Sequence, residues 1–201
     1  MRALAFAVVA GVVTAVAACS PTPTLPTTPT SRCAFPSAAT QVSTALVGAD
    51  SSNPLLVSAT LNGIQKWNAA GHRGPTFVAA GQPLLLQFQA FNDPNNSIVG
   101  ALTNGQLSQG PACGATGWSG TPRIYINVGA LFVSRDPFGV AVQVGSHEVG
   151  HALGLAHTTP NQPPLTTCPG SVMWWSTDVF YKCGLNGPTT LDVQGVNGLY
   201  E

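Results

Sequence analysis

The segment His147–His157 reads HEVGHALGLAH and decides the fold, because it holds three of the chain's four histidines. Residues four apart lie on the same face of a helix, so His147 and His151 can present two imidazoles to one ion. Gly154 stands where the chain must leave that helix, and glycine adopts the left-handed conformation that ends many helices without steric cost. The chain can then turn back and deliver His157 as a third ligand.

Three imidazoles leave one position open on a tetrahedral zinc ion, an arrangement typical of catalytic sites. Glu148 follows the first ligand and points about 100° around the helix from it, so it can flank the ion without binding it. Zinc lowers the pKa of a bound water to about 7, and Glu148 can take the proton as that water attacks a polarised carbonyl. The segment therefore predicts a hydrolase with His147, His151 and His157 as zinc ligands and Glu148 as general base.

The whole chain has 201 residues, enough for one catalytic domain with a substantial core, which we expect over residues 33–201 and as a monomer. Lys plus Arg number 7 and Asp plus Glu number 7, and there is no basic run. Nucleic acid and anionic membrane surfaces are therefore not indicated as partners.

The N-terminus carries targeting signals. Residues 1–18 have the positive start and short apolar run of a signal peptide, and the run is too short for a transmembrane helix. Val16-Ala17-Ala18-Cys19 resembles a bacterial lipobox, in which Cys19 becomes the lipidated first residue; ordinary cleavage after Ala18 is the alternative. Residues 19–32 are rich in Pro and Thr and predict a tether. We expect an extracytoplasmic bacterial protein that is lipid-anchored at the cell surface or secreted, with the lipid as its sole membrane contact.

Four further cysteines form an even set, which is typical of two disulfides in a secreted chain. Cys168 and Cys183 flank one short segment and are expected to pair, which leaves Cys33 with Cys113.

The remaining pattern alternates strands and helices. Strands are predicted at residues 41–47, 76–80, 84–91, 97–103 and 123–128. Helices are predicted from Asn53-Pro54 to Gly71, from Phe138 or Gly139 through the histidines, and over residues 191–200 with Thr189 or Thr190 as N-cap. The histidine helix is apolar on opposite faces and is expected to be buried on both. His72, in a Gly-His-Arg-Gly turn, is expected to be exposed.

With these elements placed, the chain resembles the metzincins, whose zinc motif is followed by a methionine-containing turn beneath the metal. Met173, sixteen residues after His157, matches that turn. Within the metzincins the chain is similar to the matrixins, which include matrix metalloproteinases and their bacterial relatives, over about residues 40–200. Looser matches are Trp67-Asn68 and the segment from Leu191 to Gly195.

The resemblance implies an α+β, zincin-like catalytic domain: a twisted, mostly parallel five-stranded sheet with an antiparallel edge strand, and three main helices. It implies a zinc metalloendopeptidase that holds one catalytic zinc ion and cleaves polypeptides. It also implies that one strand forms the upper rim of the cleft and pairs with extended substrate, through Ile98, Val99, Gly100, Ala101 and Leu102.

Other features of the resemblance leave alternatives open. Trp174 and Trp175 follow the methionine and would shape the pocket for the substrate side chain after the scissile bond, or serve the structure alone. The Asp93–Asn96 loop offers oxygens that suit Ca²⁺, although turn chemistry also explains it. Arg32-Cys33-Ala34 is similar to the Arg-Cys-Gly switch whose thiolate caps zinc in matrixins, but Ala34 replaces the glycine, and a disulfide at Cys33 is favoured.

Two rival functions are also compatible with the sequence. The domain could be a catalytically silent surface module that binds peptides, or a zinc hydrolase that acts on cell-wall peptides.

Overall fold

The computed structural model describes residues 33–47, 53–79, 81–95, 100–102, 113–114, 117–118, 120–159, 161 and 163–201. The predicted signal peptide, Cys19, the tether, Ile98, Val99 and Asn96 lie outside the described residues, so the interpretations that rest on them stay predictions. Among the described helices, none is both long and apolar enough to cross a membrane.

The described strands form one five-stranded sheet and a separate hairpin. In chain order they are β1 (Gln41–Val47), β2 (Thr76–Val78), β3 (Leu85–Phe91), β4 (Gly100–Leu102), β5 (Cys113–Gly114), β6 (Gly117–Trp118) and β7 (Arg123–Asn127). The sheet order is β2-β1-β3-β7-β4, and β5 pairs with β6. Every neighbouring pair in the sheet is parallel except β4 with β7. The prediction of a mostly parallel sheet with an antiparallel edge strand is therefore confirmed.

Strand β3 alternates as its sequence predicts. Leu86, Phe88 and Ala90 are buried in the core, whereas Gln87 and Gln89 lie on the opposite face. On that face the Arg123 guanidinium donates hydrogen bonds to the side-chain oxygens of both glutamines, at 2.9–3.2 Å. One face of the sheet is thus apolar and available to cover a helix.

The helices are α1 (Pro54–Ala69), α2 (Val128–Phe132), α3 (Pro137–Ala152), α4 (Asp178–Cys183) and α5 (Thr190–Asn197). Side chains cap the three longer ones: Asn53 accepts from the first turn of α1, Asp136 from Gly139 in α3, and Thr189, one of the two predicted N-caps, from Asp192 in α5. The prediction of three main helices is confirmed. The short helices α2 and α4 were not predicted, and Val128, expected to end a strand, instead begins α2 because Asn127 caps it.

Helix α3 lies in the centre of the domain. It contacts α1, β4 and β7, and the side chains of residues 139–150 are all buried, which confirms that both of its faces are covered. A Cβ atom on Gly63 of α1 would lie 2.8 Å from the Ser146 backbone nitrogen, so the two helices meet backbone to backbone. The indole of Trp67 is fully buried and donates to the Ser146 carbonyl at 2.7 Å.

In the described part of the chain, most buried apolar residues belong to one of two groups. The main core lies between the sheet and the helices, and includes α3 and Met173. A smaller group, which we call the satellite core, consists of Leu165, Trp174 and Val179 with Cys183 and Leu185 packed against them. The expected Cys168–Cys183 disulfide closes this region and is confirmed.

The structure also tests the predictions made for Cys33 and His72. Cys33 is buried and disulfide-bonded, so its sulfur is not the free thiolate that a zinc-capping switch requires; its pairing with Cys113 lies outside the described side chains and stays a prediction. His72 is not the exposed side chain we expected, because its partly buried ring packs edge-on against Trp67 with centroids 5.6 Å apart.

Candidate metal centre

Helix α3 brings the first two histidines together, as their spacing predicts. The Nε2 atoms of His147 and His151 lie 3.0 Å apart, and the two rings are nearly perpendicular. His157 arrives from beyond the helix and places its Nε2 atom 3.2 Å from that of His147. The ligand atoms of the three residues all lie within 4.8 Å of one another, close enough to hold one metal ion.

Gly154 allows the chain to reverse after α3. Its φ angle is 104°, in the region that favours glycine. A Cβ atom at this position would also lie 2.7 Å from Leu199 Cδ1 and 2.9 Å from Ala34 Cβ. The backbone conformation and the close neighbours therefore both require glycine at this turn, which leads the chain back to His157.

Backbone carbonyls orient the two helical imidazoles. His147 Nδ1 lies 2.8 Å from the Val172 carbonyl oxygen, and His151 Nδ1 lies 2.7 Å from that of Leu155. Because a carbonyl only accepts, Nδ1 carries the proton in both rings. The Nε2 lone pairs are therefore left to face the centre of the cluster.

The electrostatics favour neutral rings. Burial, with the nearby His157 as the second cause, lowers the pKa of His147 to about 4. Burial is also the main cause that lowers the pKa of His151 and that of His157. At neutral pH the cluster therefore consists of uncharged imidazoles, the form in which histidine binds metals.

The geometry fits a metal ion better than a hydrogen-bonded cluster. The Nε2 atoms of His147 and His151 both carry lone pairs and cannot hydrogen-bond to each other, so at 3.0 Å they repel unless a cation lies between them. A tetrahedral zinc ion bound at about 2.0–2.1 Å separates its ligand nitrogens by about 3.3–3.4 Å. The observed distances lie close to that value, so the residues present fit the ion.

Glu148 lies on α3 beside the edge strand and is 4% exposed. A Cβ atom on Gly100 would meet Val144 and would lie 3.2 Å from Glu148 Oε1. The backbone of β4 therefore passes directly over this carboxylate. Of the predicted rim, Gly100, Ala101 and Leu102 form β4 itself, the edge of the sheet.

Met173 is completely buried against the metal-site helix. A Cβ atom on Gly150 would lie 2.4 Å from Met173 Sδ and 3.1 Å from Trp67 Cζ2, so the methionine packs on the helix between the first two histidines. Its carbonyl accepts from the Thr158 backbone nitrogen at 3.1 Å, which joins this turn to the chain just after His157.

The two tryptophans after Met173 have different surroundings. Trp174 is 7% exposed and belongs to the satellite core, which favours a structural role for it. Trp175 is 37% exposed and donates from Nε1 to the Pro163 carbonyl at 2.9 Å. Trp175 is thus the one of the pair whose side chain reaches the surface.

The buried carboxylate of Asp192 supports the turn that contains Met173, and this role was not predicted from the sequence. Asp192 accepts hydrogen bonds from the Ser171 hydroxyl at 2.5 Å, from the Val172 backbone nitrogen at 3.0 Å and from the Thr189 backbone nitrogen at 2.9 Å. The predicted helix over residues 191–200 places Asp192 in its first turn and indicates no further role for it. Its contact with a turn twenty residues earlier has no local sequence signal.

The predicted calcium loop is held by protein contacts in its described part. Asp93 accepts from the Asn95 backbone nitrogen at 3.1 Å, and the Asn127 side chain bonds to both backbone polar groups of Asp93. These contacts are ordinary turn chemistry and give calcium no added support.

Comparison with known proteins assigns no family to this chain. No family model matches the chain, and no curated protein matches it. Among solved structures, one described as "GM1 bound form of the ECX AB5 holotoxin" matches with a TM-score of 0.47 and 13% sequence identity, covering 81% of this chain and 80% of that chain. Similarity this low carries no argument about fold or function. The structure itself supports a cluster of three imidazoles that can hold one metal ion.

Proposed function

We propose that this protein is a zinc-dependent endopeptidase of the metzincin type, similar to the matrixins. The observation that carries the proposal is the convergence of three Nε2 atoms, at 3.0 and 3.2 Å, from residues in the spacing HEVGHALGLAH. The structure also has the mostly parallel sheet, three main helices and buried methionine turn that the resemblance implies, and these features support the proposal.

The donor set favours zinc. His147, His151 and His157 would hold the ion through three neutral nitrogens, whereas calcium and magnesium prefer oxygen ligands. When bound, zinc supplies Lewis-acid chemistry, because it acidifies a coordinated water and polarises a substrate carbonyl.

Glu148 is the residue that we expect to move the proton. Its carboxylate follows a ligand on the same helix and lies under the backbone of β4. In that position it can accept the proton of the attacking water and later pass it to the leaving amine. An acid or base of this kind typically contributes about 10²–10⁴-fold to the rate.

The edge strand supports a polypeptide substrate. An edge offers unpaired backbone groups to which an extended peptide can add as a further strand. Because Gly100 lies against Glu148, a peptide held along β4 would cross the catalytic carboxylate. This arrangement favours cleavage within a chain over removal of terminal residues. We place the activity outside the cytoplasm, on a protein that is secreted or anchored through Cys19.

The experiment is cleavage of an unbiased peptide library by the zinc-loaded protein, with Glu148→Ala as the matched control. We expect cleavage at internal bonds, its loss with a chelator, and a loss of at least about 100-fold in Glu148→Ala at equal zinc content. If Glu148→Ala cuts as well as the unaltered protein, the proposed role of Glu148 is wrong. If the zinc-loaded protein binds peptides without cutting them, it is a silent binding module; if it cuts only cell-wall peptides, it is the other rival.

A further inference from the structure

A continuous chain of hydrogen bonds connects the buried carboxylate of α5 to the first histidine. The Ser171 hydroxyl donates to Asp192 Oδ1 at 2.5 Å, and the Met173 backbone nitrogen donates to Ser171 Oγ at 2.9 Å. The Val172 carbonyl accepts from His147 Nδ1 at 2.8 Å. The Met173 nitrogen and the Val172 carbonyl belong to the same peptide group, so the chain has no break.

All donors in this chain point in the same direction, toward Asp192. Hydrogen bonds arranged head to tail polarise one another, and each strengthens its neighbour. Ser171, Met173 and Asp192 are all fully buried, at 0% exposure, so water does not screen the carboxylate charge along this path. The effect of the charge is therefore carried through one hydroxyl and one peptide group to the imidazole.

Asp192 is itself held firmly. Its other oxygen, Oδ2, accepts from the backbone nitrogens of Val172 and Thr189, and from the Thr189 hydroxyl at 3.0 Å. These bonds fix the carboxylate at the start of α5 and tie the turn before Met173 to it. The carboxylate cannot shift without moving the Val172 carbonyl that faces His147.

We infer that Ser171 and Asp192 are positioning residues for His147 and act through the Val172–Met173 peptide group. Their hydrogen-bond relay fixes the proton on Nδ1, sets the angle of the ring and increases electron density at Nε2. In many metal sites a carboxylate accepts the imidazole N–H directly, and this contact orients the ligand and makes it a stronger donor. Here a hydroxyl and a peptide group extend the same contact. The inference rests on the proposed metal centre.

Thr189 offers a matched control. Ser171→Ala and Thr189→Ala each remove a hydroxyl that bonds to Asp192, and each is expected to lower stability. The Thr189 hydroxyl also bonds to the Gly170 carbonyl at 2.6 Å and caps α5, but it lies outside the relay. The two variants therefore separate a relay from a general weakening of the turn.

The test uses three readouts on the full chain. Zinc affinity is measured by competition with a chelator, the His147 Nδ1–H resonance is recorded by NMR in the metal-free protein, and thermal unfolding reports stability. We expect Ser171→Ala to weaken zinc binding by about 10-fold, the lower end of the range for residues that orient metal ligands, and to shift the Nδ1–H resonance upfield. Thr189→Ala should lower the unfolding temperature yet leave affinity and resonance nearly unchanged.

The inference is overturned if both variants weaken zinc binding equally, or if Ser171→Ala changes neither the affinity nor the resonance. If the proposed metal centre itself is wrong, the unaltered protein will bind no zinc at its histidines. The resonance of the metal-free protein still decides the relay in that case.

Discussion

Helix α3 and the segment that follows it, residues 153–189, build the candidate site in different ways. Helix α3 supplies His147, His151 and Glu148 from one regular element in which residues 139–150 are all buried. The following segment, which we call the return segment, contains α4 as its only described helix and supplies His157, Met173 and the Val172 carbonyl. The helix positions its ligands by its own geometry, whereas the return segment depends on contacts with other parts of the chain.

Three features hold the return segment: two lie within it, and one joins it to α5. Gly154 allows the reversal, the Cys168–Cys183 disulfide and satellite core hold the distal part, and Asp192 ties the turn before Met173 to α5. The difference teaches that a helix can bring two candidate metal ligands together by itself, while the position of the third candidate and the orientation of the first depend on tertiary structure.

Removal of a proposed zinc ligand should have the largest effect on zinc affinity. The effect should be equal for a ligand from α3 and for one from the return segment. An apparent binding free energy of about 10–16 kcal/mol for a four-ligand zinc site corresponds to about 3 kcal/mol per ligand, or roughly 100-fold in affinity. We therefore expect His151→Ala and His157→Ala each to weaken zinc binding by at least this factor in a chelator competition. His72→Ala removes an imidazole elsewhere and should leave affinity unchanged. Normal zinc binding by His157→Ala would show that the return segment supplies no ligand.

Gly154→Ala should be the most damaging change in the turn between the regions. At φ 104° an alanine is strained, and its Cβ atom would contact Leu199 and Ala34 at less than 3 Å. We expect a loss of about 2–4 kcal/mol in urea unfolding, from left-handed strain plus overpacking, together with weaker zinc binding. Gly71 has φ 74° with open space around it, so Gly71→Ala should cost only about 1–2 kcal/mol and spare zinc binding. Equal costs would mean that the contacts at Gly154 are unimportant.

Removal of the Cys168–Cys183 disulfide should loosen the return segment and leave α3 intact. The bond joins residues fifteen apart, and closure of such a loop accounts for up to about 3 kcal/mol. In the double variant Cys168→Ser, Cys183→Ser we expect lower thermal stability and a red shift of the Trp174 fluorescence as the satellite core opens. Zinc affinity should change little. A loss of zinc binding as large as that in His157→Ala would contradict the separation of the two cores.

Gly150→Ala should have the smallest destabilising effect, at the contact between the two regions. Its Cβ atom would press on Met173 Sδ and on the rigid Trp67 ring, and overpacking of this kind costs about 1–3 kcal/mol. Gly145 lies on the same helix with its nearest neighbour at 3.8 Å, so Gly145→Ala should stabilise by up to about 1 kcal/mol through helix propensity. Chemical denaturation of both variants measures the difference. Equal stabilities would mean that Met173 does not pack tightly on α3.

The regular elements could be predicted from sequence because their signals are local. The alternation of β3 and the spacing of the histidines reflect the period of the element that carries them, and Asn53 and Thr189 cap the helices that begin beside them. Helix α2 has five residues and α4 has six, too few to show a period. The antiparallel edge strand was expected from the resemblance alone, and the order of the strands in the sheet was not predicted.

The support of the site could not be predicted, because it joins residues that are distant in sequence. The bonds from Ser171 and Val172 to Asp192 span about twenty residues of mostly irregular chain. The position of Gly100 over Glu148 depends on the register between β4 and β7. The burial that lowers the histidine pKa values likewise comes from surrounding elements, and the residues alone do not encode it.

The most direct test is X-ray diffraction at the zinc absorption edge from crystals grown with zinc. We expect one anomalous peak about 2.0–2.1 Å from the Nε2 atoms of His147, His151 and His157, with the Glu148 carboxylate nearby but not bonded to the ion. A peak elsewhere, or one coordinated by the two α3 histidines while His157 points away, would contradict the central claim that both regions contribute to one metal centre.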